Sequence, residues 1–220
     1  LVIGERKSEG ATRTIAIYAH YDGQPVIADE WSSPPFAPTL FTQAKTDGGS
    51  PMDFPQAGEA IDENARIYAR SAGDDKAPII ALAAAIDALD NAGIAPTSNI
   101  RLIFDGEEEA GSGNLPRYLK ETADFFRDVD LWLFCDGPTH QSGEAQLVFG
   151  VRGVTSLEVT VYGPNRGLHS GHYGNWAPGP GWRLSRLLAT MKDDRGRVLV
   201  KDFYKSAAPI TKADRAAIAA

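Results

Sequence analysis

Between Arg13 and Gly137 the chain alternates apolar strands with amphipathic helices, and that alternation leaves few architectures open. The run "RTIAIYAH" reads as a buried strand. "APIIALAAAIDALDNAG" reads as a helix that opens near Pro78, sets Ile79, Leu82, Ala83 and Ile86 at helical spacing, and stops at Gly93. A second strand, "NIRLIF", then runs into "DGEEEAGSG". "LPRYLKETADFFRD" places Leu115, Tyr118, Leu119 and Phe126 on one helical face, and the strand "VDLWLFCDG" follows. Continuous apolar strands alternating with helices predict an α/β fold: a mainly parallel sheet with helices on both faces. The Pro- and Gly-rich stretch from Asp29 to Ala60 holds no sustained period and is expected to be a long surface loop.

The pattern changes near Gly150. "TSLEVTVYG" alternates, with Leu157, Val159 and Val161 on one side, which predicts a strand buried on one face only. A Gly/Pro-rich loop and the helix "WRLSRLLATM", with Leu184, Leu187, Leu188 and Met191 on one stripe, complete what can be read there. Two domains are therefore expected, residues 1–150 and a smaller α+β unit at 151–220, both incomplete. The first residue is Leu1, not Met, so a trimmed chain is expected.

The formal net charge of −7 argues against nucleic acid or an anionic membrane as partner, because both need a basic surface. No stretch approaches the roughly 20 apolar residues of a spanning helix. Cys135 is the single cysteine, so no internal disulfide and no thiolate zinc finger can form, and a reducing, cytoplasmic setting is expected. No G-x-G-x-x-G follows a strand, which sets aside a nicotinamide site.

In open α/β sheets ligands bind beyond the carboxyl ends of the strands. Here those ends read His20-Tyr21-Asp22, Asp105 to Glu109, and Cys135-Asp136-Gly137, while Asp74 and Asp75 sit just before the first helix. Taken singly, a His at a strand end is a structural hydrogen-bonder, a Glu run a solvated face, and an Asp after a strand a cap. Taken together, acidic and imidazole clusters converging on one sheet edge repel unless a cation offsets them. His with oxygen donors suits zinc or a similar divalent ion.

Five segments, "AHYDGQPV", "RSAGDDKAP", "DGEEEAGSGNL", "LFCDG" and "GLHSGHYGNWAP", resemble, in order and spacing, those of the M20 metallopeptidases. That family includes dinuclear-zinc dipeptidases, carboxypeptidases and related deacylases. The resemblance implies a zinc-exopeptidase-like catalytic domain followed by a lid or dimerisation domain, two Zn²⁺ per active site, and a homodimer formed through the lid. It implies hydrolysis of dipeptides or short peptides, with N-acyl amino acids as the alternative substrate. His20 and Asp136 would hold one metal ion, Asp74 would bridge two, and Glu109 would bind the second. Glu108 would be the general base and Asp22 the carboxylate that orients His20. The family pattern of two glutamates, any residue and then Gly-Ser sets the register at Glu108-Glu109, leaving Glu107 spare. His169 resembles the lid histidine that, in the dipeptidase-like branch, reaches across a dimer interface to bind substrate and stabilise the oxyanion, whereas His140 and His172 are read as structural or solvent-facing. A cis peptide is implied at Asp74–Asp75. The family's last metal ligand, a histidine, is expected beyond Ala220, and "APGPG" stands where the lid helix more usually opens on Asn-Pro-Ala. Without a complete metal set, a non-catalytic fragment is the reading from another class.

Overall fold

The computed structural model describes residues 1–137, 140 and 142–219. It divides into two units, Leu1–Phe149 and Gly150–Ala220.

In the first unit a four-stranded sheet has the order β1 (Val2–Arg6), β6 (Asn99–Asp105), β2 (Thr14–His20), β7 (Leu131–Phe134). β2 runs parallel to both β6 and β7, and β1 adds an antiparallel edge. The mainly parallel core follows from the apolar strands. β2 lies inside the sheet, and Ala16, Ile17, Tyr18, Ala19 and His20 are all buried, as a strand covered on both faces requires.

Side-chain contacts show where the helices lie. Arg6 of β1 pairs with Asp90 of α1 (Ala77–Asn91). The neighbouring Glu5 pairs instead with Arg101 of β6, whose guanidinium also holds Asp128 and stacks over Phe125 of α3 (Ala123–Phe126). Successive strand residues point to opposite faces, so α1 and α3 cover opposite sides of the sheet. On α1 the half-buried stripe is Ile79, Leu82, Ile86 and Leu89, while Ala83 faces solvent.

The structure departs from the sequence expectations in four places. β1 was not foreseen. The stretch expected to be loop folds part of itself into a small antiparallel sheet of β3 (Thr39–Phe41), β4 (Pro51–Met52) and β5 (Arg66–Tyr68), with Leu40 and Phe41 buried. The helix expected over 115–128 breaks into α2 (Leu115–Glu121) and α3 at Thr122. The Thr122 hydroxyl donates to the Tyr118 carbonyl at 2.8 Å, a competing bond of the kind that bends or interrupts helices. Finally, residues 155–163 form no strand. An alternating pattern becomes a strand only when a neighbour supplies the hydrogen-bond ladder, and none of the described residues pairs with it.

The second unit contains α4 (Ser170–Tyr173), α5 (Pro180–Ala189), α6 (Lys212–Ala219) and an isolated bridge between Lys192 and Val198. On α5, Leu184 is half-buried and Leu187 and Leu188 are exposed. Among the described residues no helix is long and apolar enough to cross a membrane.

Ile103 on β6 beside β2 is only 1% exposed, the largest apolar side chain among the described residues to be so completely buried. Ile103→Ala is expected to lower unfolding free energy by about 2–5 kcal/mol through lost burial and a residual cavity, measured by urea titration of the two proteins.

Candidate metal centre

Strand register brings the chemistry together. His20 at the end of β2 lies opposite Asp105 at the end of β6, and the Tyr21 N–H donates to the Asp105 carbonyl at 2.9 Å. On the other side Tyr18 lies opposite Phe134, and the Cys135 N–H donates to the Tyr18 carbonyl at 2.9 Å, which carries Asp136 up to His20. The turn Ala72–Lys76 before α1 supplies Asp74 and Asp75, with a cis peptide between them.

His20 is 1% exposed. Its Nδ1 faces Asp22 Oδ1 at 3.2 Å and its Nε2 faces Asp74 Oδ1 at 2.9 Å. Glu108 Oε2 and Asp136 Oδ1 approach the same Nε2 at 3.9 and 4.0 Å. The backbone of His20 is fixed as well, because its N–H donates to Asp75 Oδ2 at 3.1 Å. Asp75 is 2% exposed, and His20, Asp75 and Asp136 can each offer a ligand atom within 4.8 Å of the others. Of the two aspartates in the turn, Asp75 already spends one oxygen on backbone, whereas Asp74 meets the ring nitrogen.

The acidic run is divided by its own turn. Glu107 accepts from the Asn114 side chain at 2.9 and 3.0 Å and from the Asn114 N–H at 3.3 Å, and so is tied to the segment that enters α2 (Leu115–Glu121). Glu108 faces His20, while Glu109 Oε2 accepts from Gln24 Nε2 at 2.6 Å. Buried Asp105 holds the turn from below, accepting from the Glu107 N–H at 3.1 Å and the Ser112 hydroxyl at 2.7 Å. Asp22 holds it from the side, accepting from the Glu109 N–H at 3.0 Å. Two glycines shape this turn. Gly111 closes the turn with φ +87°, and a Cβ on Gly106 would lie 2.5 Å from the Tyr21 hydroxyl oxygen.

Electrostatics agree with this geometry. Burial raises the Glu108 pKa, and Asp136, Glu109 and Asp22 raise it further against the opposing pull of His20. Burial also raises Asp136, with Asp74 and Glu109 adding to the effect and His20 opposing it, and burial raises Asp75. At His20 burial disfavours the imidazolium, but Asp136, Asp74, Asp75 and Glu108 outweigh it, and the pKa is raised. Crowded acids are thus held above their usual range around a ring held above its own. A cation among them would relieve both, and the imidazole-plus-carboxylate donor set fits a divalent metal ion. Burial and then Asp75 push the Cys135 thiol up, away from the thiolate a metal would need. A cleft of about 760 Å³, lined in part by Gly73, Asp74, Pro78, Cys135 and Asp136, opens beside the cluster and is large enough for a small substrate.

Of the residues singled out in the sequence, Asp74, Glu108 and Asp136 meet at Nε2 of His20, and Asp22 faces Nδ1 on the other side of the ring. Glu109 stands on the same turn with one oxygen held by Gln24. His169 lies in the second unit, exposed at the start of α4, where its Nδ1 accepts from the Gly171 N–H at 3.1 Å and its ring lies 4.8 Å from that of His172. Gln24, Asp75 and Asp105 received no role from the sequence. Their signal was position alone: Gln24 lies two residues after Asp22, Asp75 one after Asp74, and Asp105 three before Glu108.

The family model for peptidase family M20/M25/M40 matches residues 16–220. The Cys-Gly metallodipeptidase of Schizosaccharomyces pombe is 30% identical over 96% of this chain and 40% of its own length. The β-Ala-His dipeptidase of Mus musculus is 28% identical over 98% of this chain and 40% of its own. Among solved structures, the M20 family metallo-carboxypeptidase Sso-CP2 from Sulfolobus solfataricus superposes with a TM-score of 0.71 at 28% identity, covering 99% of this chain and 44% of that one. The chain therefore spans about 40% of the length of the curated relatives it matches. With strand ends that gather an imidazole and a ring of carboxylates, and a family match over nearly its whole length, this chain belongs to the M20/M25/M40 peptidase family.

Proposed function

We propose that this chain carries most of the metal-binding face of a zinc-dependent dipeptidase. The observation that carries the reading is the meeting of Asp74, Glu108 and Asp136 at one ring nitrogen of buried His20 while Asp22 takes the other. In this reading His20 and Asp136 would hold one ion, Glu109 would hold a second, and Asp74 would serve both. The chemistry that bound divalent ions would supply here is a more acidic water and a polarised substrate carbonyl. Asp22 accepts the Nδ1 proton of His20, which fixes the tautomer and leaves Nε2 to donate its lone pair. Glu108 has its pKa raised by burial and neighbouring carboxylates, which suits it to take a proton and return it to the leaving amine.

Residues 1–150 are the catalytic domain in this reading and 151–220 the beginning of a lid. His169 contacts substrate from the lid, and the lid forms a homodimer. The single cysteine favours a reducing, cytoplasmic setting. Dipeptides are preferred as substrates because the relatives bear the names Cys-Gly metallodipeptidase and β-Ala-His dipeptidase. N-acyl amino acids are the alternative within the same chemistry.

The zinc-loaded full-length protein, given Cys-Gly, β-Ala-His and an N-acetyl amino acid in parallel, is expected to release amino acids fastest from a dipeptide. Faster turnover of the N-acetyl compound would make it a deacylase. No turnover of any of the three by zinc-loaded protein would contradict the enzyme reading.

A further inference from the structure

Gln24 lies with Asp22 in the loop that leaves β2 after His20, but it is exposed and holds no ion itself. Its Nε2 donates to Glu109 Oε2 at 2.6 Å and to the Glu109 backbone carbonyl at 3.3 Å. The orientation of the amide follows from chemistry. Turned the other way, its oxygen would face a carboxylate and a carbonyl, neither of which has a proton to give. The two N–H groups of one amide therefore grip one residue at two points. Glu109's own N–H is held from the same loop by Asp22 Oδ2 at 3.0 Å.

From these contacts we propose that Gln24 is a positioning residue: it fixes the Glu109 carboxylate in advance, so that Glu109 presents one oxygen to a divalent cation. The inference rests on Glu109 being a ligand of the second ion. Three physical features favour it. A hydrogen bond to a charged acceptor is stronger than one between neutral groups, so even an exposed amide can hold a glutamate. Ordering that side chain before the ion arrives removes an entropy cost from the binding step. And the amide is neutral, so it restrains Glu109 without cancelling the negative charge that attracts the ion, as Lys or Arg at this position would.

The test uses full-length protein with Gln24→Leu and Gln24→Lys, zinc titrated against a competing chelator, and thermal unfolding of the metal-free proteins. Gln24→Leu is expected to weaken the weaker of two zinc affinities by about 10- to 100-fold, the usual effect of losing a residue that orients a ligand. The tighter affinity and the metal-free unfolding temperature should stay near wild type, because the side chain is exposed. Gln24→Lys keeps a donor but neutralises Glu109, and should weaken the same affinity at least as much. Wild-type zinc affinities in both variants would overturn the inference while leaving the metal reading intact. Loss of both affinities together with a lowered unfolding temperature would also overturn it, in favour of a purely structural role. Wild-type protein that binds no zinc would overturn the metal reading, and this inference with it.

Discussion

Glu108→Gln in the full-length protein is expected to keep its zinc and lose dipeptide turnover by about 10²- to 10⁴-fold, the usual share of a general base. The variant preserves shape and removes only the ability to accept a proton. Its neighbours separate this effect from others because the turn sends the three glutamates to three partners: Glu107 to Asn114, Glu108 to His20 and Glu109 to Gln24. Glu109→Gln should weaken zinc binding itself, and Glu107→Gln should keep both zinc and most turnover, since its carboxylate is engaged by Asn114. Zinc content and hydrolysis rate measured side by side on the three variants decide the assignment. An inactive, zinc-retaining Glu107→Gln would move both roles one residue toward the N-terminus.

Removing His20 should have the largest effect on the metal. His20 faces Asp22 through one ring nitrogen and Asp74, Glu108 and Asp136 through the other, so His20→Ala removes the proposed ligand and leaves like charges facing one another. Zinc affinity is expected to fall by more than the roughly 10- to 100-fold that loss of an orienting carboxylate brings, the value expected for Asp22→Asn. Circular dichroism of both variants checks that the fold survives. An Asp22→Asn protein with unchanged zinc affinity would show that the Nδ1 contact at 3.2 Å has no part in orienting the ring.

The strands that build the candidate site were legible because β2, β6 and β7 are apolar runs whose ends carry polar groups, a pattern that a parallel sheet both requires and aligns. Helix α1 was legible from Pro78 and its spaced Ile and Leu residues. Other features were not, for identifiable reasons. Strands β3, β4 and β5 are two or three residues long, too short to show any period, and exist only because they pair with one another. β1 carries Gly4 and alternates weakly, and its place is set by antiparallel pairing with β6. Conversely, "TSLEVTVYG" has the alternation of a strand without the partner, which is a tertiary property that periodicity cannot supply. In the site, residue types marked His20 and the carboxylates, whereas Gln24 has an unremarkable side chain and is distinguished only by the 2.6 Å contact it makes with a residue 85 positions away.

Anomalous X-ray scattering at the zinc edge, from crystals of the zinc-loaded full-length protein, shows whether the strand-end cluster is a metal centre. Two peaks roughly 3.5–4 Å apart are expected, one within bonding distance of His20 Nε2 and Asp136, the other beside Glu109, with Asp74 between them. Zinc bound elsewhere on the protein, with no peak at His20, would contradict a metal centre there.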